Sequence, residues 1–242
     1  MTYISWFDLA WCLLPIALVA CVYIAWQGKP SEILMASGRM MVQLVAVGYV
    51  LVSIFENPSP WISLLIVTMM LVVAAWIAIR PVQHHKGYLL PAILALAGSV
   101  FLHLILSLVL VLKAETWYQP QLFIPLAGMY FANTMNAISL SAERYHAELH
   151  NLKSREEARL TAFHAAMIPQ INSLLAVGLV ALPGMMTGQI LSGVSPLIAV
   201  RYQIMIMAMV LGAAGVGAAL MLWLLSRLPN SQKPGLNVET DS

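Results

Sequence analysis

The chain has 242 residues, of which 61% are hydrophobic and 9% charged, against about 25% charged in an ordinary soluble domain. With 12 basic and 10 acidic side chains and a mean hydropathy of +0.84, it cannot cover a water-facing surface. That excludes a soluble globular enzyme, a disordered chain and a nucleic-acid binder, and leaves an all-helical, polytopic integral membrane protein.

A spanning helix needs roughly 20 mostly apolar residues, and seven stretches qualify: Phe7–Trp26, Ile33–Phe55, Trp61–Ile79, Leu89–Leu112, Leu122–Leu140, Ala165–Leu182 and Leu197–Leu225. The runs are too long and unbroken for barrel strands. Trp26, Trp61, Trp117 and Tyr118 fall at span edges, where interfacial aromatics belong. The first span ends its Leu18-Val19-Ala20-Cys21 run like a lipoprotein cleavage box, but residues 1–11 hold no Lys or Arg and do hold Asp8. A signal peptide needs a basic start, so a first span is expected there. Cys12 and Cys21 are too few for a disulfide framework.

Orientation follows the basic residues. One side carries Lys29, Arg80, Lys86, Arg144, Lys153, Arg155, Arg159, Arg227 and Lys233; the other carries only Lys113. The expected topology is therefore N-terminus outside and C-terminus cytoplasmic. Residues 1–228 form one transmembrane domain, and 229–242 read as a disordered cytoplasmic tail.

In the second span, Arg39 and Gln43 are four apart on one helix face. Ionisable and amide groups inside spans are costly and default to functional candidates. Arg39 either faces a pathway or snorkels to the cytoplasmic surface. Asn133 and Asn136 share a face of span five, and Gln170 and Asn172 open span six. Such amides either bond neighbouring helices or line a polar path; their spread over three spans points to a path.

Between Met129 and Ile168 there is neither glycine nor proline. Span five should continue into the cytoplasm as a helix, with Arg144 and Glu148 spaced to pair. Ser154-Arg155-Glu156-Glu157 has the form of a capping box, so a second helix starts there after a tight turn near Leu152–Ser154. The hairpin, residues 142–164, is either a solvated loop or a docking element, with Arg144, Glu148, Arg155, Glu156, Glu157 and Arg159 as contact candidates. His146 and His150 share a helix face at zinc-ligand spacing, but the H-E-x-x-H order of a metalloprotease is absent. A solvated face is the simpler reading. His84-His85 is a loop pair without a visible third ligand.

Pro183-Gly184-Met185-Met186-Thr187-Gly188-Gln189 interrupts the apolar run after span six. It reads as a broken helix, a re-entrant turn or a short loop, and Met185, Met186 and Gln189 join the pathway candidates. Met205 and Met209 offer soft sulfur at helical spacing, though methionine more often fills gaps between helices. Small residues crowd span seven, with Ala208/Gly212 and Ala213/Gly217 spaced to pack closely on another helix, within the chain or in a dimer. No P-loop, G-x-S-x-G or C-x-x-C motif is present, so no nucleotide or other cofactor is expected in this chain, and the metal residues stay unassigned.

Several segments resemble the FetB-like iron-export ABC transporter permeases. They are Ser37-Gly38-Arg39-Met40-Met41-Val42-Gln43-Leu44 with Val47-Gly48-Tyr49-Val50-Leu51; Ile124-Pro125-Leu126-Ala127-Gly128-Met129 with Asn133, Met135 and Asn136; and Ala166-Met167-Ile168-Pro169 through Leu182-Pro183-Gly184-Met185-Met186-Thr187-Gly188-Gln189-Ile190-Leu191 to Arg201-Tyr202-Gln203-Ile204. The resemblance covers roughly residues 30 to 225. It implies a permease subunit that acts as a homodimer in the lipid bilayer with a separate cytoplasmic ABC ATPase, and that does no covalent chemistry itself. Bacterial members are associated with iron efflux and plant relatives with aluminium tolerance. The chain departs from the family pattern in one place: Glu157-Ala158 runs almost directly to Ile168-Pro169, where members carry a longer segment with a Gly-Ala-Thr-Pro turn. A secondary carrier or channel without an ATPase is the rival reading.

Overall fold

The computed structural model describes residues 4–82, 87–151 and 154–228. His84-His85, Lys86, Lys153, the tip of the expected turn at 152–153 and the tail 229–242 lie outside the described residues. The described chain is helical, with no β-strand among the described residues. It divides into two units, Met1–Asn57 and Pro58–Ser242.

The first unit opens with a short helix, α1 (Trp6–Leu9), fixed by reciprocal bonds between Ser5 and Asp8. A 3-10 turn (Ala10–Cys12) leads into α2 (Leu13–Ala25), and α3 spans Pro30–Glu56. α2 packs along α3. Their exposed side chains are mostly apolar, and only Ala20 and Ile54 are buried in them. In lipid such exposure costs little, because acyl chains are as apolar as the side chains.

The second unit holds α4 (Pro60–Ala78), α5 (Leu89–Ile105), α6 (Pro120–His150), α7 (Arg155–Ala176), α8 (Gly184–Leu191) and α9 (Pro196–Ser226). Proline opens α3, α4, α6 and α9. There its missing N–H removes a donor that would be orphaned in any case. α6 packs against α4, α5, α7 and α9, and α9 also packs against α5, α7 and α8. The seams are built from alanine: Ala75, Ala92, Ala95, Ala127, Ala142, Ala158, Ala162, Ala213, Ala214 and Ala218 are all fully buried. Small side chains let helix backbones approach, and dispersion replaces the absent hydrophobic drive between helices in lipid. The small-residue face of α9 is thus used within the chain. Gly217 meets Thr134 of α6, and Gly212 meets the His103 ring of α5. Met205 and Met209 belong to the same packing.

Among the described residues, five helical stretches are long and apolar enough to cross a membrane: Phe7–Ala25, Pro30–Glu56, Pro60–Ala78, Leu89–Val111 and Pro196–Ser226. The other two expected spans differ. Leu122–Leu140 is a part of α6, diluted by Asn133 and Asn136. Ala165–Leu182 is not one helix: α7 stops at Ala176. Its residues 165–176 reach about 18 Å at 1.5 Å per residue, against a hydrocarbon core of roughly 30 Å. The interruption therefore falls at 177–183, ahead of the expected position, and Gly184–Leu191 is itself helical. Gly178 supplies the turn with φ +84°, and its N–H bonds the Ala181 carbonyl at 3.0 Å. Pro183 then caps α8 rather than breaking a helix.

Candidate functional site

The hairpin forms as its sequence dictates. α6 runs unbroken to His150, and α7 starts at Arg155 behind a capping box: the Ser154 hydroxyl accepts from the Glu157 N–H at 3.2 Å, and the Glu157 carboxylate accepts from the Ser154 N–H at 3.1 Å. The docking candidates then separate by direction. Arg144 Nη2 lies 2.6 Å from Glu148 Oε1, and Glu148 is only 3% exposed. Arg155 Nη1 donates to the Ser226 carbonyl at 3.0 Å. It thereby satisfies one of the orphan carbonyls that end α9 and ties the start of α7 to that helix end. Arg159 is half-buried, and Glu156 and Glu157 are exposed.

Beneath these charges sits Tyr145, fully buried, with no hydrogen-bond partner for its hydroxyl. Burial raises its phenol pKa above the ordinary value, while the nearby Arg155 and Arg159 guanidinium groups pull it down. Tyr88, beside it, is raised first by burial and then by Tyr145 itself.

The pathway candidates do not share one environment. In the first unit Arg39 and Gln43 stand exposed on α3. A groove of about 930 Å³ runs between the Leu9–Leu13 segment and α3, lined by Met40, Met41, Leu44, Val45, Gly48, Tyr49 and Val52. Neither Arg39 nor Gln43 lines it. In the second unit Asn133 is half-buried and its amide donates to the Met129 carbonyl of its own helix at 2.8 Å. Asn136 and Asn172 are exposed, and Gln170 is buried. Met185 and Met186 are half-buried on α8, Met185 against the core. Gln189, also on α8, has a buried Oε1 without a hydrogen-bond partner.

Of the buried polar positions that escaped the sequence reading, Gln203 and His103 bear most on the site. Gln203 of α9 is 6% exposed, and its Oε1 also lacks a hydrogen-bond partner. α8 and α9 pack together, so two of the acceptors left unpaired in the second unit belong to adjoining helices. An amide inside a long apolar run was the available signal. The second is His103 of α5. Its Nδ1 lies 2.8 Å from the Ser99 carbonyl; a carbonyl only accepts, so Nδ1 carries the proton. One turn on, Ser107 donates to the His103 carbonyl at 2.7 Å and sits 2.6 Å from the Tyr130 hydroxyl of α6. Ser99 donates to the Ala213 carbonyl of α9 at 2.6 Å. Directly beyond, Leu106–Val111 widens into a π-helical stretch, a geometry frequent at functional sites.

The arrangement is one of scattered amides, hydroxyls and a buried imidazole within a helix bundle. Among the described residues no group of three or more His, Cys, Asp or Glu side chains converges.

Residues 6–228 match the model of the uncharacterised protein family UPF0014. The membrane protein slr1647 of Synechocystis, of the same family by name, is 35% identical over 226 residues, covering 86% of this chain and 87% of its own. The probable iron export permease protein FetB of Escherichia coli is 33% identical over 214 residues, 81% of each chain. The protein ALUMINUM SENSITIVE 3 of Arabidopsis thaliana is 30% identical over 205 residues, 78% of this chain and 73% of its own. No solved structure matches. The chain belongs to the UPF0014 family of membrane proteins.

Proposed function

We propose that this membrane permease is the transmembrane subunit of an ATP-driven exporter, with metal cations, iron foremost, as its cargo. The cargo follows the name of the Escherichia coli relative. The chain holds no nucleotide motif, so a separate cytoplasmic ATPase supplies the energy. Two permease copies and two ATPases make the working unit, in the cell inner membrane. In the proposed arrangement of seven crossings, with the sixth made by the interrupted α7–α8 stretch rather than by one helix, the N-terminus lies outside and the hairpin and C-terminus in the cytoplasm. Within the second unit Asn133, Asn136, Gln170, Asn172 and Gln189 border the path, with Met185 and Met186 at its outer end.

The observation that carries this reading is the hairpin. It is a polar continuation of apolar helices, and Arg155 bonds it to the end of α9. Force applied to it by a docked ATPase reaches a helix that packs against α5, α6, α7 and α8. ATP closure of the ATPase pair would then open the path outward.

The test is co-purification of an ATPase with the wild-type permease and with Glu156→Lys. Glu156 is exposed, so its reversal should leave the fold intact, while like charges across an interface are costly. Weaker capture by the variant, with an unchanged melt, is the expected result. Equal capture by both removes the hairpin from the interface. Wild type that captures no ATPase at all shifts the reading to a secondary carrier or channel, which the shortened segment before Ile168-Pro169 would suit.

A further inference from the structure

We propose that His146 and His150 form a binding site for a first-row transition-metal dication, of the zinc, nickel or copper class, near the hairpin end of α6. The two residues are four apart on one helix, about 6 Å along its axis at 1.5 Å per residue, and therefore neighbours on one face. Their rings meet edge to face, with centroids 4.8 Å apart and planes at 84°. His150 is exposed and His146 half-buried, so an ion reaches them from water and keeps water in its remaining positions. Imidazole nitrogen suits zinc, copper and nickel and is a poor ligand for magnesium or calcium. In helical zinc sites, histidines at this spacing supply two ligands to one ion.

The surrounding charge favours the site. Arg144 and Glu148 pair with each other and lie on the other side of the helix, two positions being about 200° of turn. Glu143, exposed and three residues before His146, is on the same face and adds a negative charge. Two protein ligands with water completing the shell make an open site, weaker than a closed four-ligand one. A dication there would clamp the last two turns of α6, just ahead of the turn into α7. The sequence signal was present, but only the ring contact brings the two imidazoles together.

The experiment is a titration of the full-length protein in detergent, purified without a polyhistidine tag, with Zn²⁺ alone and with Mg²⁺ alone. Binding is read by calorimetry and by competition with a chromophoric chelator. The expected result is one Zn²⁺ site per chain, no Mg²⁺ binding, and loss of the site in His146→Ala and in His150→Ala. The site should survive in His84→Ala/His85→Ala. The glutamine variants His146→Gln and His150→Gln, with wild-type helicity by circular dichroism, repeat the loss without shortening the side chains. No Zn²⁺ binding by wild type, or binding that survives substitution of either hairpin histidine, overturns the proposal. The titration involves neither an ATPase nor transport, so its failure leaves the permease reading where it stands.

Discussion

Gly217→Ala tests the central seam of the second unit. Gly217 lies on α9 against α6, and a β-carbon added there would overlap Cγ2 of Thr134, with Ile138 Cδ1 and Ser99 Cβ each at 3.6 Å. Carbon atoms in favourable contact sit about 3.5–4.0 Å apart, so the last two are ordinary neighbours and Thr134 alone is in the way. Thr134 is fully buried and, being β-branched, stiff at χ1. The overlap is relieved by rotating it or by spreading α6 from α9, at the roughly 1–3 kcal/mol typical of overpacking. Replacing glycine in a helix interior returns about 1 kcal/mol of propensity. With the overlap this close, a net loss of about 1–2 kcal/mol is expected from those two ranges. For a chain of this size each kcal/mol moves Tm by about 2–4 °C, so the melt should fall by roughly 2–8 °C. Thr134→Ser deletes the offending methyl, worth about 0.8 kcal/mol by itself. In the Gly217→Ala background it should restore most of the loss, a coupling that only touching residues show. The assay is thermal unfolding of detergent-purified protein for the two single variants and the double. Losses that simply add would refute the seam, as would Gly217→Ala melting at or above wild type.

The buried tyrosines should respond in opposite ways. Tyr130→Phe removes the hydroxyl 2.6 Å from Ser107 and should destabilise by about 0.5–1.5 kcal/mol in the same melts. Tyr145→Phe removes a buried hydroxyl that has no hydrogen-bond partner, and its stability should match or exceed wild type. The folded pKa of Tyr145 is raised, so its contribution is complete below the unfolded value of about 10 and is lost as pH climbs through the folded value. Melts above that pH should fall less steeply in Tyr145→Phe; Tyr88, raised in the same direction, accounts for part of the slope that remains. For topology, a reporter fused after Ser242 should be cytoplasmic and one inserted at Asn57 external; an external C-terminus would remove the seven-span arrangement.

What the sequence made legible was local. The capping box at Ser154–Glu157 marks the start of α7 because two residues of one turn satisfy each other's backbone donors without help from elsewhere. The prolines at the starts of α3, α4, α6 and α9 work in the same way. The end of α7 was hidden. Val177-Gly178-Leu179-Val180-Ala181-Leu182 is apolar throughout and satisfies any hydropathy window, yet Gly178 takes a positive φ and the helix stops ahead of it. The visible proline at 183 drew the expected break toward itself, although its fixed φ suits the cap of α8 equally well. His103 and Gln203 were missed for a related reason: each lies in a strongly apolar stretch, and burial in the bundle is a property of neighbours remote in sequence.

The hairpin charges carry the same lesson further. By sequence Arg144, Glu148, Arg155, Glu156, Glu157 and Arg159 form one class, a polar run on two helix arms. Packing divides them. A carboxylate as buried as Glu148 persists only when paired, and Arg144 at 2.6 Å supplies the charge. Arg155 spends its guanidinium on the end of α9, and Glu157 closes the cap of α7. Substituting Arg144 would strand a buried charge and substituting Arg155 or Glu157 would disturb a helix end, so a loss of ATPase capture would not distinguish docking from folding. Glu156 and Glu143 are exposed. On the docking reading proposed above, reversing Glu156 is the perturbation that reports on contact rather than on the stability of the hairpin.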